Sequence, residues 1–291
     1  AFFLEYLDNT LKTPDDVHKY LHLPFLSAIP QMYKLADKGI NPDKVILESP
    51  RASASEAFRG LRTAVLFSGA EKPPQVIMVT SALPFEGKTQ VSTNLALTMA
   101  DFGAKVLLLD CDLRKPRLHQ IFAQPREPGL TNVLAGTASK RAEFIQDTHT
   151  NALELMSTGT LPPNPSELLG SKRMHKLIDQ LRQHYDHIII DTSPVTAVTD
   201  PVVLAQLCDG VVYVVKAGQS TRDVTAQGLA QLQGVQAKLL GVVLNDVAMD
   251  KESYYYKYYY YYYYSDEGEK KKGKRQHKKH RQQSPAQGSR A

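Results

Sequence analysis

Val76-Ile77-Met78-Val79-Thr80 runs directly into Ser81-Ala82-Leu83-Pro84-Phe85-Glu86-Gly87-Lys88-Thr89, and a helical pattern then continues from Lys88 to Phe102. A β-rich apolar run, a loop ending in Gly-Lys-Thr and a helical pattern make a strand–loop–helix unit. In such a unit the free backbone N–H groups of the first helical turn converge on one point at the positive end of the helix, which suits a phosphate. The amides of Glu86, Gly87, Lys88, Thr89 and Gln90 are the candidates to wrap it. Lys88 is placed to reach the outer phosphates of a nucleoside triphosphate, and the Thr89 hydroxyl to bind Mg²⁺. The first glycine usual in this pattern is Ala82 here.

Working outward, further apolar β-rich runs occur at 106–110, 153–157, 187–191, 211–215 and 239–245, with a shorter candidate strand at 26–29. Helical patterns lie between several of them, at 166–185, 201–207 and 220–232. Strands that are nearly continuous Val, Ile and Leu, separated by helices, predict an α/β fold: a mostly parallel sheet covered by helices on both faces, of the P-loop NTPase class. Sites in such sheets gather at the carboxyl ends of the strands. Three of those ends carry polar residues of interest: Asp110, Asp191 and Asn245.

Leu107-Leu108-Leu109-Asp110-Cys111-Asp112-Leu113-Arg114 places two carboxylates two residues apart at a strand end. One can serve the Mg²⁺ shell while the other takes the proton of an attacking hydroxyl. Asp112 is the first choice as proton acceptor, and Asp110 can exchange roles with it. His187-Ile188-Ile189-Ile190-Asp191 is a second apolar strand ending in a carboxylate, as expected of a residue acting on Mg²⁺ through water. Lys88, Asp110, Asp112 and Asp191 are thus the catalytic candidates, with Thr89, Asp110 and Asp191 around the metal. Arg114 is a candidate for a phosphate, and Asn245, ending the last strand, resembles an adenine-side position in related ATPases.

Composition divides the chain of 291 residues. The net charge of +5 conceals a contrast: residues 251–291 carry +7, which leaves −2 on the first 250. A near-neutral globular part argues against a nucleic-acid surface, and no nucleic acid is expected as partner. No apolar run is long enough for a membrane span. Cys111 and Cys208 read as packing residues in a reducing compartment, and the histidines show no metal-ligand spacing. Residues 1–50 form a proline-punctuated N-terminal segment, in which Thr13-Pro14-Asp15-Asp16 reads as a capped helix start. Residues 51–250 hold the alternating pattern. Residues 251–291 carry ten tyrosines, Tyr254, Tyr255, Tyr256, Tyr258, Tyr259, Tyr260, Tyr261, Tyr262, Tyr263 and Tyr264, followed by a basic polar stretch. That tail lacks the apolar residues to build a core and is expected to be disordered.

Two aspartate-bearing strand ends in succession after the phosphate loop resemble the Walker A′ and Walker B motifs of the bacterial tyrosine kinases (BY-kinases), which share a core with MinD/ParA-type ATPases. Glu56-Ala57-Phe58-Arg59-Gly60-Leu61-Arg62 is similar to that family's E-x-x-R-x-x-R helix. Leu161-Pro162-Pro163-Asn164-Pro165-Ser166-Glu167-Leu168-Leu169 resembles its proline-rich segment. The resemblance implies ATP and Mg²⁺ as cofactors and transfer of the γ-phosphoryl to the tail tyrosines, mainly between subunits. It further implies a homo-oligomeric ring, by family an octamer, in which Glu56, Arg59 and Arg62 meet the neighbouring subunit. Family membership also implies a membrane segment upstream, a place on the cytoplasmic face of the bacterial inner membrane, and service to exopolysaccharide or capsule export. Phe2-Phe3-Leu4-Glu5-Tyr6-Leu7 at the start fits the cytoplasmic exit of such a segment. By spacing alone, Glu56, Arg59 and Arg62 share one helix face.

Overall fold

The computed structural model describes residues 8–69, 72–150 and 152–248. The tyrosine cluster and basic tail, and the opening residues 1–7, lie outside the described residues.

Eight strands form one sheet: β1 (Phe25–Pro30), β2 (Val76–Ser81), β3 (Val106–Asp110), β4 (Gln146–Thr150), β5 (Leu153–Met156), β6 (His187–Asp191), β7 (Gly210–Lys216) and β8 (Leu239–Val247). Their spatial order is β1-β8-β7-β2-β6-β3-β5-β4. Every pairing is parallel except β4 against β5. β2 sits mid-sheet, and the chain leaves it through a helix to β3, stepping over the position that β6 later fills. Strand order thus turns around β2, and α/β sheets bind ligands at such a turn, beyond the carboxyl ends.

The strands are buried on both faces, which explains their unbroken apolar sequences. On one face Ile77, Val79, Leu108, Ile189, Val212 and Val214 join one core with Phe58 and Leu61 from helix α1 (Ser53–Leu66) and Leu95 and Met99 from helix α2 (Lys88–Asp101). The alternate residues Met78, Leu107, Ile188, Ile190 and Tyr213 are equally inaccessible. Helix α3 (Pro165–Leu169), helix α4 (Lys172–Arg182), helix α5 (Asp200–Ala205) and helix α6 (Arg222–Gly234) complete the elements used below.

Most expected elements appear within a residue or two of their sequence positions. Thr13 caps its helix as read, its side chain accepting from the Asp16 amide at 3.1 Å while the Asp16 carboxylate accepts from the Thr13 amide. Two departures have physical causes. The single helix expected over 166–185 is two, α3 and α4. They break at Gly170-Ser171, where the Ser171 hydroxyl caps α4 by accepting from the Met174 amide at 3.2 Å. β4 is not marked in the sequence, because Gln146–Thr150 is an edge strand with one buried residue, Thr148, and so carries no apolar alternation. β1 pairs with β8, so residues 25–30 belong to the same sheet as the phosphate loop. Among the described residues no helix is long and apolar enough to cross a membrane. Cys111 and Cys208 are both free thiols.

Ile189 is fully buried in β6, between β2 and β3. Ile189→Ala is expected to destabilise the fold by about 2–5 kcal/mol, read as a lower urea midpoint, since the sheet there cannot collapse onto the cavity.

Candidate functional site

The register of three strands assembles the site. Val79 of β2 lies opposite Asp191 of β6, and Asp191 lies opposite Asp110 of β3. Two carboxylates therefore end neighbouring strands beside the loop that leaves β2. The Thr192 hydroxyl donates to the Val79 carbonyl at 2.9 Å and the Thr80 hydroxyl to the Ser193 carbonyl at 3.0 Å, fastening the segment after β6 to β2.

The loop 82–87 is fixed from below. Glu86 is buried; its carboxylate accepts from the Leu83 amide and from the Ser220 hydroxyl, and its carbonyl accepts from Asn245 Nδ2 at 3.0 Å. Gly87 opens α2 with φ +97°, a left-handed conformation that favours glycine. A Cβ there would come within 2.0 Å of Asn245 Nδ2, so both the backbone and the packing demand glycine. Phe85 also holds a positive φ of 65°.

Lys88 is buried at the start of α2, and desolvation pushes its ammonium below the usual lysine range, opposed by the charges of Asp191, Asp112 and Glu86. Asp110 is fully buried. Burial, with the neighbouring Asp191 charge, pushes its carboxyl well above the ordinary range, although the Asp112 and Leu118 amides each donate to it at 3.2 Å. Burial also raises Asp191, and nearby Thr89 and Lys88 pull it back. No donor completes a hydrogen bond to either Asp191 oxygen. Asp112 turns its carboxylate back to accept from the Lys115 amide at 3.0 Å and the Arg114 amide at 3.3 Å.

A cleft of about 660 Å³ opens at Lys88 and Asp112, and Asp110 and Asp191 are not among the residues that line it. Gly87, Lys88, Thr89, Gln90, Asp112, Arg114 and Asn245 all line it. The Arg114 guanidinium is held by the buried Asp200 at the start of α5, through Nε at 2.9 Å and a second nitrogen at 3.1 Å. Asn245 sits beneath the loop, its Oδ1 buried and without a partner. No sequence pattern marks Tyr33 and Asp43, which line the cleft from the segment after β1, or Ser220 and Asp200, which hold Glu86 and Arg114. These four act through contacts distant in sequence, and none stands in a motif.

Glu56, Arg59 and Arg62 lie on α1, away from the cleft lining. Glu56 and Arg59 form an ion pair, and Arg59 also donates to the Pro50 carbonyl at 3.0 Å. Arg62 stacks over the Phe102 ring at 4.3 Å and donates to the Thr98 carbonyl at 3.3 Å, so this arginine braces α1 against α2. The tyrosines Tyr254–Tyr264 fall outside the described residues.

The chemistry of the cleft fits Mg²⁺ with a nucleoside triphosphate. Two adjacent buried carboxylates, one with both oxygens unpartnered, suit a cation, and Lys88 and Thr89 line the cleft where phosphates would lie. Among the described residues no cluster of three metal-ligating side chains occurs. Mg²⁺ commonly keeps its waters and phosphate ligands and needs only one or two from the protein.

Residues 75–241 match the family model described as an AAA domain. The chain is 37% identical to the putative tyrosine-protein kinase CapB of Staphylococcus aureus over 206 residues, which is 71% of this chain and 90% of CapB. The chain belongs to the bacterial protein-tyrosine kinases. The solved kinase domain of the Escherichia coli tyrosine kinase ETK superposes on this kinase with a TM-score of 0.77 at 31% identity, covering 84% of this chain and 96% of that domain. Against the putative tyrosine-protein kinase EpsB of Ralstonia nicotianae the identity is 34% over 265 residues, 87% of this chain but 34% of EpsB. The fold is that of the P-loop NTPases and the enzyme is a tyrosine kinase that uses a nucleotide.

Two outcomes test the site. Gly87→Ala is expected to weaken binding of a fluorescent ADP analogue by about tenfold or more, because alanine resists the left-handed φ and meets Asn245. Asp191→Asn tests the buried charge. A carboxyl with a raised folded pKa penalises folding above that pKa, and the penalty vanishes as pH falls through it. The nucleotide-free Asn variant is therefore expected to be more stable than the native chain by about 1–3 kcal/mol near pH 8. By chemical denaturation the gap should close as the pH approaches the ordinary carboxylate range.

Proposed function

We propose that this kinase is an autokinase that transfers the γ-phosphoryl of MgATP to the tyrosines of its own tail, Tyr254–Tyr256 and Tyr258–Tyr264. The observation that carries the reading is the paired register of Asp110 and Asp191 beside Lys88, with Asp112 on the next turn. Lys88 and the amides of Glu86–Gln90 neutralise and orient the phosphates. Thr89, Asp110 and Asp191 are the groups that would hold Mg²⁺, which supplies charge neutralisation at the phosphate oxygens when bound. Asp112 takes the phenolic proton, with Asp110 able to exchange roles with it. As the tyrosine oxygen forms its bond to the γ-phosphorus, the bond from that phosphorus to the β–γ bridging oxygen breaks and ADP leaves. Asn245, beside Gly87, belongs to the nucleotide's surroundings. Arg114 is assigned to hold the Asp112 turn through Asp200, within reach of a phosphate.

Residues 51–250 form the kinase domain in this reading, with residues 1–50 as its N-terminal extension and 251–291 as its substrate tail. Phosphorylation proceeds in trans within a ring, an octamer by family, in which the α1 face bearing Glu56, Arg59 and Arg62 meets a neighbour. Each phosphate adds about −1.5 to −2 charges, so a few reverse the +7 of the tail and release it from neighbouring sites. The kinase works at the cytoplasmic face of the bacterial inner membrane, below a membrane-spanning segment, and regulates exopolysaccharide or capsule polymerisation and export.

Incubation with MgATP followed by intact and tryptic mass spectrometry tests this. Phosphate is expected on Tyr254–Tyr264 in the native chain and is expected to fall at least about 100-fold in Lys88→Met. ATP hydrolysis without phosphotyrosine would overturn the autokinase reading.

A further inference from the structure

Phe85 is at odds with folding economy. Its side chain is 85% exposed, the largest exposure among the large hydrophobic residues described, and its backbone holds φ +65°, where a bulky residue is a steric outlier. Neither feature stabilises the fold. The loop beneath is clamped: the Ser81 hydroxyl donates to the Leu83 carbonyl at 2.8 Å, the Leu83 amide to Glu86, and Ser220 to Glu86 from the far side. Phe85 is thus held out rigidly on the lip of the cleft, which it lines. Strain maintained by surrounding structure is characteristic of functional positions.

Its neighbours give the direction. The Lys115 ammonium lies 6.0 Å from the centre of the Phe85 ring. Lys115 also donates its amide to the Asp112 carboxylate at 3.0 Å. The exposed ring therefore stands beside the turn that carries the proton acceptor, while Asn245 and Tyr33 line the cleft from β8 and the segment after β1. An acceptor entering at that turn must bring an aromatic ring, since the hydroxyl to be phosphorylated sits on one. A fixed exposed ring offers an offset or edge-to-face partner to a phenol and nothing comparable to the short hydroxyl side chains of serine or threonine. A preorganised partner also avoids the entropy loss of ordering a flexible one.

The geometry points to Phe85 as the platform on which an acceptor tyrosine packs while its hydroxyl faces Asp112, making Phe85 a determinant of tyrosine as substrate. This rests on the tyrosine-transfer reading above with Asp112 as acceptor.

The test uses the full chain, a synthetic peptide spanning Lys251–Lys257 as acceptor and a fluorescent ADP analogue as a separate probe of the nucleotide site. Phe85→Gly removes the ring and relieves the positive φ, so its thermal midpoint is expected to be at or above that of the native chain. The peptide KM is expected to rise about tenfold, with kcat changed little and the ADP-analogue Kd within about twofold of native. Phe85→Tyr is expected to restore the native peptide KM. An unchanged peptide KM in Phe85→Gly would overturn the proposal. So would a parallel loss of ADP-analogue affinity, which would assign Phe85 to loop shape, or a change in oligomeric state by light scattering that accounts for the whole effect. Absence of peptide phosphotyrosine from the native chain would fail the underlying reading itself, and the proposal with it.

Discussion

Asp110 and Asp191 end adjacent parallel strands in register, and both are removed from water. Two like charges in that position are costly to hold. The protein compensates only in part: two backbone amides reach Asp110, Lys88 and Thr89 lie near Asp191, and both Asp191 oxygens remain without a bonded donor. In the proposed function the remainder comes from outside the chain. A site built to be short of positive charge gains free energy when a cation and its phosphates arrive, which is how a rigid fold can reserve affinity for its ligand. The sheet supplies that rigidity. With the strands packed on both faces, neither carboxylate can relax toward solvent without dislodging β3 or β6 from the core.

The phosphate loop obeys the complementary constraint. It must present N–H groups outward while its own side chains are satisfied beneath. Glu86 does this by turning its carboxylate inward to the Leu83 amide and Ser220, and Asn245 from the end of β8 supports its carbonyl. Ser220 is itself fixed, its carbonyl accepting from the Leu11 amide at 3.0 Å and its hydroxyl from the Lys216 amide at 2.9 Å. The conformation of the loop therefore depends on residues from three distant stretches of the chain. Any one of them removed leaves a buried polar group without a partner, which is more damaging than the loss of the bond alone.

How much of this was legible in the sequence follows from how local each determinant is. The strands announced themselves because burial on both faces forces runs such as Ile188-Ile189-Ile190, and the phosphate loop because its chemistry is confined to consecutive residues. The capped start at Thr13 is equally local. β4 was invisible since an exposed edge needs no apolar pattern, and the break between α3 and α4 was hidden because Gly170-Ser171 interrupts an otherwise helical run of favourable residues. The partners of Glu86 and Arg114 were beyond reach for a different reason. Ser220 and Asp200 are 134 and 86 residues away from the groups they hold, and nothing in their own neighbourhoods marks them.

Arg114 shows what such distant contacts add to a motif. As a sequence feature it is a cation two residues beyond Asp112, free to be assigned to a phosphate. In the fold its guanidinium makes a two-pronged pair with Asp200, whose carboxylate is inaccessible to solvent and also accepts from the Ser166 hydroxyl. Ser166 lies in the proline-rich segment, where Pro165 opens α3, and it accepts in turn from the Thr199 hydroxyl at 3.0 Å. Among the described residues Arg114 is the one cation paired with Asp200, and a buried carboxylate does not give up such a partner cheaply, so Asp200 fixes the arginine, and through the Arg114 amide it fixes the turn that presents Asp112. The proline-rich segment is thereby a support for the turn that carries Asp112, although it lies some fifty residues along the chain. Placing Asp112 on a turn held by ion pairing, not on a strand end, leaves it lining the open cleft while Asp110 and Asp191 stay buried. In the proposed function that division would let Asp112 meet a substrate hydroxyl in water-accessible space, while Asp110 and Asp191 keep the low-dielectric surroundings in which charges interact strongly.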